Sequence, residues 1–204
     1  MIVVNFATRQ YRAGQKRLQE SLGDVPNLMF TEYSQIGSPT HQDSPYEFKI
    51  HAIERGFEKD NIVLWADASM YLMGDISRIE KIIQEDGYFI EEAGHYVNDW
   101  CNQHTRQYFQ LQPEENYTMF SAGLLGLDKT SPIAMSFFSQ WKASAKAGCF
   151  KGDWSNHRHD MTCGSIIAQR IGLKYQRGGS HMAYIGEVFG EPEPGAVFHL
   201  KGIV

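Results

Sequence analysis

The 204-residue sequence predicts an α/β fold on a mostly parallel central sheet. In the first half, short apolar runs alternate with segments whose apolar residues recur every three or four positions, the signatures of buried strands and one-faced helices. Gly or polar residues close each run. Strand, helix, strand, helix, strand, helix implies right-handed crossovers, which make neighbouring strands parallel.

"IVVNFA" (Ile2–Ala7) is the first predicted strand and Tyr11 to Leu22 the first helix, stopped by Gly23. "NLMFTEY" is the second strand. In "DSPYEFKIHAIERGFEK", Ser44 fits an N-cap, Pro45 the first helical position and Glu47 the reciprocal partner of a capping box. Tyr46, Ile50, Ile53 and Phe57 then form one apolar face. Ile62–Trp65 is the third strand. Asp75 can cap a helix that buries Ile76, Ile79 and Ile83 and ends at Gly87. Glu91 to Glu115 shows no clear period, and its length suggests a functional loop or small insertion. "YTMFSAGLLGLD" is a strand, Ser131-Pro132 opens a helix to about Lys146, and "GCFKGDWSNHRHD" is loop. Asp160 can cap a helix to Ile171, and short strands follow, the last being "AVFHLKG". Internal "GGSHM" (Gly178–Met182) reads as loop. No repeat or linker divides residues 1–204, so one domain is expected.

Composition narrows the function. Net charge is −5, which supplies no global basic field for nucleic acid, so nucleic-acid binding is not favoured. Three Cys without a CxxC favour a reducing compartment over a disulfide framework. The N-terminal apolar run is too short for a signal peptide and no window approaches a membrane span, so a cytoplasmic protein is expected. No GxGxxG, P-loop or GxSxG is present.

In parallel sheets, ligands bind beyond the carboxyl ends of the strands. Ala7–Arg9 and Asp67–Ser69 lie at two such ends. Asp67 follows Ile62–Trp65, and an ionised carboxylate there needs a partner, either a turn that it caps or a cation. Asp67 and Ser69, at i and i+2, point the same way and could share a hard divalent cation with a diphosphate. In "HRHDMTC", His157, His159 and Cys163 could be zinc ligands, but their spacing fits no strong zinc signature; Asp160 at a helix start lines a cleft or serves as a plain cap. His199 and Lys201 share a face of an extended segment, suited to a cation and a phosphate or to nothing in particular. Lys49 by itself reads as a solvated surface lysine. Trp100, Tyr108 and Trp154 sit in polar segments where sugar-ring stacking is a natural use.

Several of these blocks resemble one family. "VLWADASMYLMGDIS" is similar to the metal-site strand of GT-A fold nucleotide-diphospho-sugar glycosyltransferases, and most of all the glycogenin-like retaining group, with Asp67 at the first aspartate of the motif and Ser69 where a second is usual. "MFSAGLLGLD" resembles the strand that touches the donor sugar, with Ser121 in place of an asparagine. "HDMTCGSIIAQRIGLKY" resembles the family's "DQdiLN" helix, with Asp160 in the place of its aspartate and Met161 in place of the glutamine. "FHLKG" is similar to a C-terminal element with a metal-binding histidine and a diphosphate-binding lysine, and "PYEFKIHAI" to a lysine-bearing helix. The blocks occur in family order along nearly the whole chain.

The resemblance implies a GT-A (Rossmann-like) single domain. It implies transfer of a sugar from a nucleotide-diphospho-sugar, UDP-sugar favoured, to an acceptor such as a glycan or protein, with Mn²⁺ or Mg²⁺ and with retention. Phe6, Ala7, Thr8, Arg9, Lys49, Asp67, Ala68, Ser69 and Lys201 would then hold the nucleotide, and Asp67, Ser69 and His199 the metal. Ser121 and Asp160 would orient the donor sugar. Ser69 and Ser121 in ligand positions keep a second reading open, a non-catalytic sugar-nucleotide or glycan binding module. A nucleotidyltransferase ranks last, because the glycine-rich basic N-terminal loop that chemistry requires is missing.

Overall fold

A computed structural model describes residues 1–184 and 195–202. The central sheet has the order β2-β1-β3-β6-β5. Its strands are β1 (Ile2–Phe6), β2 (Asn27–Phe30), β3 (Ile62–Ala66), β5 (Tyr88–Tyr96) and β6 (Thr118–Asp128). β1 pairs in parallel with β2 and β3, while β6 is antiparallel to both β3 and β5. Four of the five strands thus share one direction and β6 opposes them, giving the mostly parallel α/β sheet expected.

Strand alternation explains why both faces are covered. Ile2, Val4, Phe6, Val63, Trp65, Leu125 and Leu127 face a layer made by α3 (Phe48–Phe57), α6 (Pro132–Lys146) and α7 (His159–Arg170). Val3, Leu64, Ala66 and Leu124 face α1 (Arg12–Leu22) and α4 (Ser77–Asp86) through Leu18, Leu22, Ile79 and Ile83. Each fully buried Leu or Ile here contributes about 1.5–3 kcal/mol relative to exposure. Gly56 lets α3 lie close on the sheet: a Cβ there would meet Val63 and Val4 at 2.8 and 2.9 Å.

Helix ends follow the local chemistry in most places. Ser131 caps α6 by accepting from the Ala134 amide, with Pro132 at the start. Asp75 Oδ1 accepts the Ser77 amide (2.9 Å), and Gly87 ends α4 in the left-handed conformation. The capping box expected at Ser44 does not form. Tyr46 has φ 61°, which no helical turn accommodates, so α3 starts only at Phe48 and Ser44 Oγ is buried without a partner. Asp160 lies inside the first turn of α7, whose N-cap is Arg158.

The segment read as an irregular insertion, Glu91 to Glu115, is more ordered than its pattern suggests. β5 continues to Tyr96 with register shifts against β6, and α5 (Gln103–Phe109) follows, capped by Asn102 accepting from Thr105 N. The predicted second strand stops at Phe30, because Gln35 Oε1 accepts the Thr31 and Glu32 amides and turns the chain into the short α2 (Tyr33–Ile36). β4 (Met70–Leu72), β8 (Phe198–Leu200) and β7 (Met182–Tyr184) form a second, three-stranded sheet; β8 lies in the predicted strand "AVFHLKG", while β4 and the pairing of the three were not predicted. Glu91 ties it to β5: Oε1 accepts the Gly179 (2.7 Å) and Met182 (3.3 Å) amides, and Oε2 accepts that of His181 (3.0 Å). Among the described residues, no helix is long and apolar enough to cross a membrane.

Candidate active site

The carboxyl ends of β1 and β3 open onto a cleft, as a parallel arrangement requires. β3 is followed at once by Asp67, whose amide donates to the Gly123 carbonyl on β6 (2.8 Å). Its Oδ1 accepts from the Trp65 indole (2.8 Å) and lies 3.5 Å from Lys49 Nζ. Lys49 is buried at 3% exposure, in contrast to the solvated residue its isolated sequence context suggests. Its ammonium donates to the Ala122 carbonyl (2.9 Å) and sits 2.9 Å from Asp160 Oδ2. Three chain segments thus converge: α3 brings the lysine, β3 one carboxylate and α7 the other.

The group carries two potential negative charges against one positive. Burial pushes the Asp67 and Asp160 carboxyls above their ordinary range, and Lys49 pulls both back. Burial also opposes the charge on Lys49, but Asp160 and then Asp67 more than offset it, so the ammonium stays charged. Tyr46 completes the enclosure with its ring 5.2 Å from Lys49 Nζ. Its phenol is pushed up to about 12 by burial, with the Asp160 charge adding to it.

Asp67 and Tyr46 each border two cavities. One, of about 400 Å³, is lined by Phe6, Tyr33, His41 and Phe48, with Thr8 and Ser69 at its polar side; Ala68 also borders it. The other, of about 290 Å³, is lined by Lys49, Ser121, Asp160, His95, Trp154 and Arg158 among others. An aromatic chamber of this size suits a planar, hydrogen-bonding ring system, and the polar one a hydroxyl-rich group.

The structure distributes the sequence-predicted residues unevenly. Phe6, Thr8, Ala68 and Ser69 line the larger cavity, Lys49, Ser121 and Asp160 the smaller, and Asp67 both. Ala7 is buried with its amide on the Phe30 carbonyl, and Arg9 is exposed in a 3-10 turn; neither lines either of these two cavities. Ser121 Oγ accepts weakly from the Gly123 amide (3.4 Å). His199 lies on β8 opposite Tyr71, 8% exposed, and its Nδ1 is buried without a partner. Lys201 is exposed, but its amide donates to the Ser69 carbonyl (3.0 Å), so the end of β8 adjoins the β3–β4 turn.

Zinc at "HRHDMTC" is ruled out by where the ring nitrogens go. His157 Nε2 meets the Cys149 carbonyl at 2.8 Å and His159 Nδ1 the Phe150 carbonyl at 2.8 Å, both main-chain tethers. Among the described residues, no three His, Cys, Asp or Glu groups are gathered for a metal. Trp100 and Trp154 flank the Arg158 guanidinium, and Tyr108 lies in a separate hollow with Gln140 and Arg170. Sequence reasoning missed Tyr46, His41 and Arg158 as cleft residues. The only local signal for Tyr46 was an aromatic beside a proline, which packing alone would also explain.

No family model matches the chain, and no curated protein matches it. Solved structures do. The apo form of mouse xyloside xylosyltransferase 1 aligns with a TM-score of 0.56 at 10% identity, over 98% of this chain and 97% of that one. A glycosyltransferase involved in the glycosylation of the major capsid of PBCV-1 aligns with a TM-score of 0.61 at 14% identity, over 98% and 92%. The chain has the GT-A glycosyltransferase fold.

Proposed function

We propose that the chain is a glycosyltransferase that moves a sugar from a nucleotide-diphospho-sugar, UDP-sugar favoured, to an acceptor such as a glycan or protein, with retention. The observation that carries this reading is the Lys49–Asp67–Asp160 group, set at the carboxyl end of β3 between an aromatic cavity and a polar one. The nucleoside takes the aromatic cavity and the donor sugar the polar one, so the diphosphate passes Asp67 and Ser69.

A divalent cation, Mn²⁺ or Mg²⁺, fits this donor set in a particular way. Asp67, Ser69 and the unpartnered buried Nδ1 of His199 do not form a closed cage. Hard cations of this kind are commonly held by one or two carboxylates together with substrate phosphates. Asp67, with Ser69 and His199, would hold the ion jointly with the diphosphate. When bound, such an ion supplies Lewis-acid neutralisation of charge on the leaving diphosphate.

The chain's own groups do the rest. Lys201 neutralises phosphate charge as the bond from the anomeric carbon to the diphosphate oxygen breaks. Ser121 and Asp160 orient the donor sugar, and Lys49 fixes Asp160 by the ion pair and the Ala122 carbonyl. Phe6, Tyr33 and Phe48 exclude water from the nucleoside.

The test is nucleoside diphosphate release from a panel of UDP-sugars with Mn²⁺ or Mg²⁺, measured for the native chain and for Asp67→Asn. Release that depends on Asp67 supports the enzyme. Tight UDP-sugar binding without turnover toward any acceptor would instead support a non-catalytic binding module of the same fold.

A further inference from the structure

The polar cavity has a second charged end that the transfer chemistry leaves unused. Arg158 stands just before α7, with its guanidinium carbon 3.5 Å from the Trp100 ring centroid and 4.1 Å from that of Trp154. Both indole rings lie against the guanidinium. A guanidinium packed on aromatic rings can still present its in-plane N–H donors, the geometry that matches a carboxylate or phosphate. One of those donors, on Nη1, is used by the Trp154 carbonyl. Among the described residues, no carboxylate lies within ion-pair range of Arg158. Burial also works against its charge, pulling its pKa down. The cation is thus held rigidly at a cavity wall without an acidic counterpart, beside exposed His95 and the half-exposed Trp154.

We propose that Arg158 forms an anion subsite for the acceptor, and that the acceptor is a saccharide carrying a carboxylate or a phosphate. This rests on the glycosyltransferase reading above, in which the larger cavity and the Asp67–Ser69 turn take the nucleoside diphosphate. Arg158 lines only the smaller cavity, with Asp160 and Ser121, and so faces what approaches the donor sugar from the other side. The acidic group of the acceptor pairs with the Arg158 fork while a hydroxyl of the same saccharide is presented toward the donor sugar. Without such a group the remaining guanidinium donors have no anionic partner and the acceptor loses its anchor.

The experiment is a tryptophan-fluorescence titration of the full chain, in the presence of UDP, with glucuronate, glucose 6-phosphate and methyl glucoside. Trp100 and Trp154 report directly on what pairs with Arg158. The acidic sugars are expected to bind roughly tenfold more tightly than the neutral one, as a charge-assisted fork contact implies. The two acidic arms separate a carboxylate from a phosphate ligand. Arg158→Gln is expected to erase the difference, and Arg158→Lys to keep part of it. Equal binding of acidic and neutral sugars by the native chain overturns the proposal, as does a preference that survives in Arg158→Gln. Should Arg158→Gln fail to fold, the native discrimination and its weakening in Arg158→Lys decide the matter. UDP affinity is titrated alongside. If it falls in Arg158→Gln, Arg158 belongs to the donor diphosphate and the acceptor assignment is lost. If the native chain binds acidic sugars but no UDP or UDP-sugar at all, the glycosyltransferase reading fails while the anion subsite stands.

Discussion

Lys49 Nζ lies 2.9 Å from Asp160 Oδ2, and both side chains are only 4% exposed. The pair joins α3 to α7 across the cleft floor. Removing one partner of a buried pair leaves an uncompensated charge, which costs about 3–5 kcal/mol. Lys49→Met should therefore destabilise strongly at neutral pH, read as a shift in the urea midpoint. The pH dependence follows from the directions of the shifts. Carboxyls whose folded pKa is raised favour the fold when protonated, and that contribution is lost as pH rises through the folded value. Without Lys49 they rise further. The deficit of Lys49→Met should thus be largest on the alkaline side and shrink as pH falls and Asp160 takes up a proton. A deficit independent of pH would mean that lost packing, not charge, is responsible.

Ser44 separates what local pattern says from what the fold does. As an N-cap its replacement by Ala would cost about 0.5–2 kcal/mol. In the structure its hydroxyl is buried and unpartnered, so Ser44→Ala should be neutral or stabilising by up to about 1 kcal/mol. Thermal melts of the two proteins distinguish these outcomes.

The same contrast marks the limit of sequence reading here. β1, β3 and α6 were readable because unbroken apolar runs and a Ser-Pro start signal carry their own local explanation. β4 has three residues, too few for a period to show, whereas β8 falls within the predicted strand "AVFHLKG". Asp67 was readable because a charge after a buried strand is costly unless it has a partner. The burial of Lys49 was not, because it depends on Asp160 and Ala122, which only the tertiary fold brings to it. Arg158 was hidden for the same reason: the indoles that flank it come from separate stretches of chain.

Glu91 is fully buried and accepts three main-chain amides from the segment leading into β7. Glu91→Gln keeps the shape but turns one oxygen into an N–H₂ group facing a donor. An unsatisfied buried group costs about 1–3 kcal/mol. The melting temperature should fall accordingly, and hydrogen exchange should quicken first at the Gly179 and His181 amides. Uniform acceleration across the central sheet would show that Glu91 supports global rather than local stability.

Asp67→Asn should abolish donor turnover while leaving stability within about 1 kcal/mol of the native protein. An amide oxygen at this position can still accept from the Trp65 indole. Loss of one negative charge leaves Lys49 and Asp160 balanced, which offsets the lost contact at 3.5 Å. Nucleoside diphosphate release and thermal unfolding are measured on the same preparation. Normal release combined with a large loss of stability would make Asp67 a structural residue.

His199 offers the sharpest test of how a cation would be held. Its ring sits edge-on to Tyr71 (5.8 Å between centroids), and its buried Nδ1 has no partner, an arrangement costly to keep without a ligand. Burial lowers its pKa, which favours the neutral imidazole that can donate a lone pair. If it completes a site with Asp67, Ser69 and the diphosphate, His199→Ala should raise the Mn²⁺ concentration needed for half-maximal activity by roughly tenfold or more. Electron paramagnetic resonance of Mn²⁺ with UDP present should show the same weakening without reference to turnover. An unchanged Mn²⁺ profile in both measurements would remove His199 from the site. Any cation would then depend on Asp67, Ser69 and the nucleotide alone, and its affinity in the absence of nucleotide should be negligible.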